Sequence, residues 1–532
     1  MGIVLHWIVT NVPALLPVFV VIFISAILIL VYLYKTSEMM NKKILAWLII
    51  SFSAIFVAAT VFHLLKNRPP HLEFRLVIFP IQKDVTSPEV SWQAKALWEM
   101  VTEELSRSVD DDAIVIPVEW TAALTRTDTA YNFDYLRNLC YKINGDYFLL
   151  GQQKLENNVP TLTWKLIDTE TGEAVFQESL SLTVEELPKF AFQISEKILS
   201  HFNMATEDES PVLTYIDKDN FIKYLAARER FEQKKYSDAA EMAEQVIEVD
   251  SSFVPAHLLS GKSWFMAAIE KKKTGESPVE EFEKARNFFI KTISLDSTQA
   301  EAMVFLGEYY VYRERWSLAE KYLLNAFRLN PNYPRLYLTL SRLHSFRYKK
   351  IGFANEQQLF RRAIFINPCY EDAYLMFADY YLFENKRDKA IETLERYLEI
   401  DPNSVPALIA LGKIYLVRNE ILKIIEVFNK AIELEPNNSD AYYNLGILYY
   451  NSKEFETSEK LLQRAIAIDN HLNAHLYLAY LYETKGDYQK AVEHLRNRIR
   501  NRKGFDDEFA EEARKHLFKL MQQDATNVEN KE

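Results

Sequence analysis

Few residues in this 532-residue chain have the types and spacing that chemistry requires. His471 and His475 stand four apart, the spacing that puts two imidazoles on one helix face toward a metal ion. His471, however, falls in a turn between two repeats of the chain, and spacing indicates no third ligand. The carboxylate pairs Glu103-Glu104 and Glu280-Glu281 read as solvated helix faces rather than as an acid and a base. Cys140 and Cys369 fall in different segments with no CxxC and no Cys/His cluster, so they read as small buried apolar groups. Neither a GxGxxG nor a phosphate-cradling GxxxxGK[ST], HExxH or GxSxG occurs. The chain is therefore expected to be no enzyme and to use neither a metal nor an organic cofactor.

What remains is recognition by side chains held on a scaffold, and composition says which scaffold. The chain is 49% hydrophobic, has 12 glycines, and carries 30 Tyr and 33 Phe. Scarce glycine and abundant aromatics suit long helices packed side by side. The length exceeds one hydrophobic core and predicts two or three domains. Net charge is −12; residues 1–72 carry Lys35, Lys42, Lys43, Lys66 and Arg68 against Glu38, a net of +4, which leaves −16 for the rest. So acidic a body repels phosphate backbones and argues against nucleic acid as a partner.

The amino-terminal region predicts a membrane anchor. No Lys, Arg, Asp or Glu occurs from Met1 to Tyr34, and the apolar stretch of residues 13–34 is long enough to cross a bilayer. A second such run, residues 44–65, comes after the polar loop KTSEMMNKK. Together they predict a transmembrane helical hairpin, because backbone polar groups in lipid must be satisfied within each helix. A cleaved signal peptide fits less well: it would need a basic start, a shorter apolar stretch and no second span. The loop has three lysines against Lys66 and Arg68 after the second run, which places the loop in the cytoplasm and both termini outside. In a bacterial cell the large carboxyl-terminal part would then face the periplasm, beyond a rigid linker at Asn67-Arg68-Pro69-Pro70.

Residues 73–203 read as a small α/β domain. Leu76–Phe79, Ala113–Trp120, Asp146–Leu155, Thr161–Asp168 and Val175–Leu182 have strand character, and Trp92–Val109, Tyr131–Ile143 and Thr183–Phe202 helical spacing. Thr183 and Glu186 predict a capping box for the last helix. The segments RLVIFPIQ, WEMVTEELSRSV, YFLLGQQKLENN and KLIDTETGEAVFQESLSL resemble the TolB-like amino-terminal domain of some bacterial adenylate cyclases and membrane-bound regulators. Between Ile81 and Trp92 the chain departs from that family's Asn/Gly/Asp-rich loop. The resemblance implies an extracytoplasmic binding or sensing domain without catalytic residues, or a spacer that lifts the carboxyl-terminal part off the membrane.

From residue 220 the sequence repeats itself about every 34 residues. Ala300–Tyr333, Glu371–Ser404 and Val405–Asn438 are each one period, and Pro331, Pro368, Pro402 and Pro436 recur at the closing turn. Gly307, Ala378, Gly412 and Gly446 fall where two helices touch, with Tyr310, Tyr381, Tyr415 and Tyr449 three residues on. This resembles the tetratricopeptide repeat family and implies an all-α superhelical solenoid of eight units over residues 213–504. Insertions are expected near KKKTGESPVEE and RYKKIGFAN, a capping helix over residues 505–521, and a disordered tail over 522–532. The fold class is thus multidomain: two transmembrane helices, a small α/β domain and the solenoid.

By the family's pattern, the first helix of each unit lines a concave groove. The residues this assigns to a protein or peptide partner are Val304, Glu308, Tyr312, Leu338, Arg342, Leu375, Asp379, Phe383, Ile409, Lys413, Tyr443 and Tyr450. The lining is apolar and aromatic with scattered charges, and lacks the lysine set that clamps a terminal carboxylate, so an extended or helical peptide is the expected ligand. The function this predicts is a membrane-anchored scaffold or adaptor. The competing expectation is an envelope ligand or stress sensor that uses the α/β domain and a separate signalling subunit.

Overall fold

The computed structural model describes residues 74–83, 88–109, 113–117, 121, 124, 132–156, 159–183, 186–204, 218–502 and 507–529. The expected membrane hairpin and its linker lie outside the described residues, among which no helix is long and apolar enough to cross a membrane.

The chain first builds a sheet. Strands β1 (Phe74–Ile78) and β3 (Ala113–Ile116) are buried along their whole length, as strands covered on both faces must be. They pair in parallel, β1 also pairs in parallel with β4 (Tyr147–Glu156), and β5 (Val159–Asp168) and β6 (Ala174–Ser181) extend the sheet antiparallel, in the order β3-β1-β4-β5-β6. A two-residue strand, β2 (Gln82–Lys83), pairs with the far half of β4. Helices α1 (Pro88–Ser108), α2 (Phe133–Lys142) and α3 (Leu187–His201) complete the module. The capping box expected at α3 is absent in its reciprocal form. The Thr183 hydroxyl donates to the Glu186 carboxylate at 2.8 Å instead of accepting from the helix, and the cap falls on Glu186 itself. Pro188 at the first turn already removes one of the donors such a box would satisfy.

Sixteen principal helices then pair into eight antiparallel hairpins among the described residues. They are α4 (Lys218–Glu232) with α5 (Tyr236–Val249), α6 (Val254–Thr274) with α7 (Val279–Leu295), and α8 (Ala300–Tyr312) with α9 (Trp316–Leu329). Next come α10 (Pro334–Ser341), the four-residue α11 (Ser345–Tyr348) and α12 (Glu356–Ile366), with α10 packed on α12. The remaining pairs are α13 (Glu371–Phe383) with α14 (Arg387–Ile400), α15 (Val405–Arg418) with α16 (Ile421–Leu434), α17 (Ser439–Asn451) with α18 (Phe455–Asp469), and α19 (Leu472–Lys485) with α20 (Tyr488–Arg500). The first insertion lengthens α6 to 21 residues; the second makes α11 and a single 3-10 turn.

Every hairpin bends through one left-handed residue, in order Lys234, Gly275, Glu314, Gly352, Asn385, Asn419, Lys453 and Gly486. A left-handed residue ends a helix by turning the chain so that its last carbonyls are met by the following amides. Within hairpins the small residues sit at real contacts: a Cβ on Gly412 would lie 2.5 Å from the Phe428 ring, and one on Gly307 2.7 Å from Leu323. The array ends in α21 (Glu508–Glu529), whose Ala513 and Leu520 join the core of the last hairpins. This helix runs through most of the segment expected to be a disordered tail; after Gly504 the sequence offers no Gly or Pro to stop it.

Sheet and solenoid are not strung apart. One core joins Leu76, Leu97, Val101, Trp164 and Ile194 of the module to Phe221, Leu225, Val246 and Phe253 of the first hairpin. Glu99 on α1 pairs with Arg228 on α4 at 2.9 Å. A second contact reaches the middle of the array. Buried Arg75 donates to the Ile143 and Asn144 carbonyls at 3.0 and 3.1 Å and to the Phe365 carbonyl at 2.6 Å, with its guanidinium over the Phe365 ring. Lys142 donates to the Glu399 carbonyl at 2.7 Å beside it.

Candidate protein-binding groove

The twelve residues assigned to the groove separate into three groups. Val304, Leu338, Ile409 and Tyr443, all at the fifth position of their units, are buried, and so is Glu308. They pack neighbouring helices instead of facing a ligand, because first helices of adjacent units approach too closely to leave that position open. Tyr312, Leu375 and Tyr450 are half-buried, and Tyr312 lies against the Phe282 ring at 4.2 Å. Arg342, Asp379, Phe383 and Lys413 are exposed.

The ninth position of each unit carries the charge. It reads Arg228, Lys262, Glu308, Arg342, Asp379 and Lys413 over six successive units, a ladder in which signs largely alternate. Arg228 is covered by Glu99 of the module. Lys262 meets Glu301 at 2.6 Å, and Glu301 also accepts from the Tyr333 hydroxyl at 3.1 Å. Glu308 accepts from Arg335 at 2.8 Å and Arg342 at 2.9 Å. Burial pushes the Glu308 carboxyl up, but the two guanidinium groups outweigh it and hold it below the usual carboxylate range. Burial raises Asp379, and Lys413 on the next unit opposes that shift only in part. Glu301 and Arg335 occupy the second position, which the family's pattern also turns inward; their recurrence at that position is the signal in the sequence that points to them.

Past Lys413 the lining changes from charge to aromatic rings. Tyr477 contacts Tyr443, Tyr450 and Tyr480 with centroids 5.8 to 5.9 Å apart, and Tyr480 contacts His516 of the capping helix at 4.6 Å. The histidines singled out by spacing do not converge on a ligand. His471 stacks on Tyr443 and faces Asp440 at 3.0 Å, while His475 Nδ1 meets His494 Nδ1 at 2.8 Å. Among the described residues no three ligating side chains cluster for a metal ion. Burial pushes the Cys140 and Cys369 thiols up to about 12, so both stay protonated and unreactive at neutral pH.

Two sequence models of the tetratricopeptide repeat match, over residues 371–414 and 427–460. Over those residues the solenoid carries tetratricopeptide repeats. No curated protein matches the chain. Similar solved structures include MamA, 23% identical over 29% of this chain and 92% of that one, with a TM-score of 0.26. Yeast Tom70 is 15% identical, covering 64% of this chain and 74% of its own, at a TM-score of 0.44. PilF of Pseudomonas aeruginosa is 15% identical over 42% of this chain and 98% of that one, at 0.33. Tetratricopeptide arrays in general serve protein–protein interaction, and a concave face with side chains in ordered register is the feature that suits them to it.

Proposed function

We propose that this protein is a membrane-anchored scaffold that holds a protein partner along the concave face of its repeats, on the periplasmic side of a bacterial inner membrane. The observation that carries the reading is the division of that face. Over the fifth and sixth units Asp379 and Lys413 stand exposed, and over the seventh and eighth a half-buried tyrosine cluster offers amphipathic contact area. A peptide with alternating charges and an apolar or aromatic end fits such a lining. The first unit's face is already taken by α1, so the partner seats on the later units. The anchor rests on the two charge-free apolar runs, and the side of the membrane on the lysine count of the loop between them. The TolB-like resemblance, with its extracytoplasmic setting, agrees with that side.

A photo-crosslinker placed at Lys413 tests the groove. The expected result is a discrete adduct in cells that the reversal Asp379→Lys or the truncation Tyr450→Ala removes; an adduct insensitive to both would sink the reading. A reporter tag at the carboxyl terminus tests the topology, and a cytoplasmic signal would overturn it.

A further inference from the structure

The two edges of the solenoid differ. The turns between hairpins form the edge on which Arg75 and Lys142 of the module dock, at Phe365 and Glu399. The turns within hairpins form the other edge, and over the fourth to sixth units large apolar side chains stand out from it. Phe383 is 85% exposed, Leu422 84%, Val417 66% and Phe346 57%. These residues come from successive units in contact: Tyr380 on α13 lies against Phe360 on α12 with ring centroids 5.8 Å apart, and Arg418 at the end of α15 reaches Asp388 at the start of α14. Segments 344–355, 383–389 and 417–423 together hold eight Lys or Arg against three Asp or Glu, with Glu320 beside them facing Arg347 and Lys350, in a protein of net charge −12. Each of the three acids already faces a base: Glu384 with Lys386, Asp388 with Arg418, and Glu420 with Arg418 and Lys423.

We infer that this edge docks on an anionic lipid surface, with Phe346, Phe383, Val417 and Leu422 entering the interface and the exposed Lys349, Arg387 and Lys389 facing the headgroups. Exposed apolar side chains ringed by cations on an acidic protein are complementary to a layer that is negative outside and hydrocarbon beneath. Nucleic acid could use the cations and the rings of Phe346 and Phe383, but it leaves the aliphatic Val417, Ile421 and Leu422 in water, whereas a lipid interface takes up all five. The inference rests on the proposed anchor only for keeping the edge near a bilayer.

The test uses the full chain with an environment-sensitive dye at Ser345→Cys, on this edge, or at Asn403→Cys, on the other; the buried native thiols do not label. Vesicles of phosphatidylcholine are compared with vesicles containing phosphatidylglycerol, and alkaline extraction is run in parallel to read the anchor separately. A blue shift at position 345 alone, only with the anionic lipid, is expected. Lys349→Glu with Arg387→Glu should lower the docked-to-undocked ratio roughly tenfold or more, and Leu422→Ser, which touches no ion pair, should lower it independently. Absence of the shift in anionic vesicles, an equal shift in phosphatidylcholine, or a shift at both positions overturns the inference. So does a shift raised by single-stranded RNA or by protein concentration and not by lipid. A chain that alkali extracts but whose edge still shifts would lose the anchor and keep the docking edge.

Discussion

Arg75 does the most at the scale of one residue. Its backbone amide donates to the Asp146 carboxylate at 2.7 Å, and its side chain donates to three carbonyls on two domains. A buried guanidinium held this way by its two terminal nitrogens fixes geometry, whereas its removal leaves carbonyls without partners in a dry contact. Arg75→Ala is expected to cost about 2–4 kcal/mol in denaturant unfolding. Arg75→Lys should recover little of this, since an ammonium lacks the planar fork that spans the three acceptors. At His475, burial together with His494, Arg498 and His471 lowers the imidazole to about 4. Its folded value lies below the unfolded 6.5, so the unfolded chain takes up the proton first. Stability is full above about 6.5 and falls as pH drops toward 4, by on the order of 2 kcal/mol at pH 5. Amide exchange across residues 472–500 should accelerate at pH 5 beyond its intrinsic change. His475→Leu should flatten that dependence; equal protection factors in wild type at pH 7 and pH 5 would contradict the assignment.

At the scale of elements, each hairpin is set by a left-handed turn and a close helix contact. Gly412→Ala pushes a methyl into the buried Phe428 ring, and the expected loss is about 1–3 kcal/mol by thermal or denaturant unfolding. Val417→Ala, on the exposed edge of the same helix, should stay within about 0.5 kcal/mol. A neutral Gly412→Ala would mean the hairpin has slack that the contact distance denies. These contacts are legible in the sequence, because a small residue recurring every 34 positions beside a recurring tyrosine has few causes other than helix–helix contact. The capping box at α3 is not, because Thr183 and Glu186 have the right spacing but bond each other. Nor is the full length of the carboxyl-terminal helix: the polar composition after residue 521 suggests disorder, whereas the lack of any Gly or Pro after Gly504 lets the expected capping helix run on.

For the whole molecule, the decisive fact is the shared core. Phe221, Leu225, Val246 and Phe253 are covered by the module, each worth about 1.5–3 kcal/mol of burial. An array beginning at residue 213 should therefore self-associate in light scattering, and Phe221→Ser with Leu225→Ser should restore monodispersity. A monodisperse unmodified array would show that the core is dispensable. It follows that the module is no simple spacer: it braces the first unit and, through Arg75, the middle of the solenoid.

The sequence by itself determined the period, the paired helices, the placement of both insertions and the absence of a recognisable catalytic motif, because each is written in residues near one another in the chain. Only the tertiary structure decided which inward positions reach solvent. Whether Val304 or Lys413 faces the groove depends on how closely the neighbouring unit approaches, and no local pattern encodes that distance. The same holds for Arg75, whose partner Phe365 lies 290 residues away. A side chain's burial is a property of what packs on it, and in a solenoid that closes back on its own first domain those partners are the most distant parts of the chain.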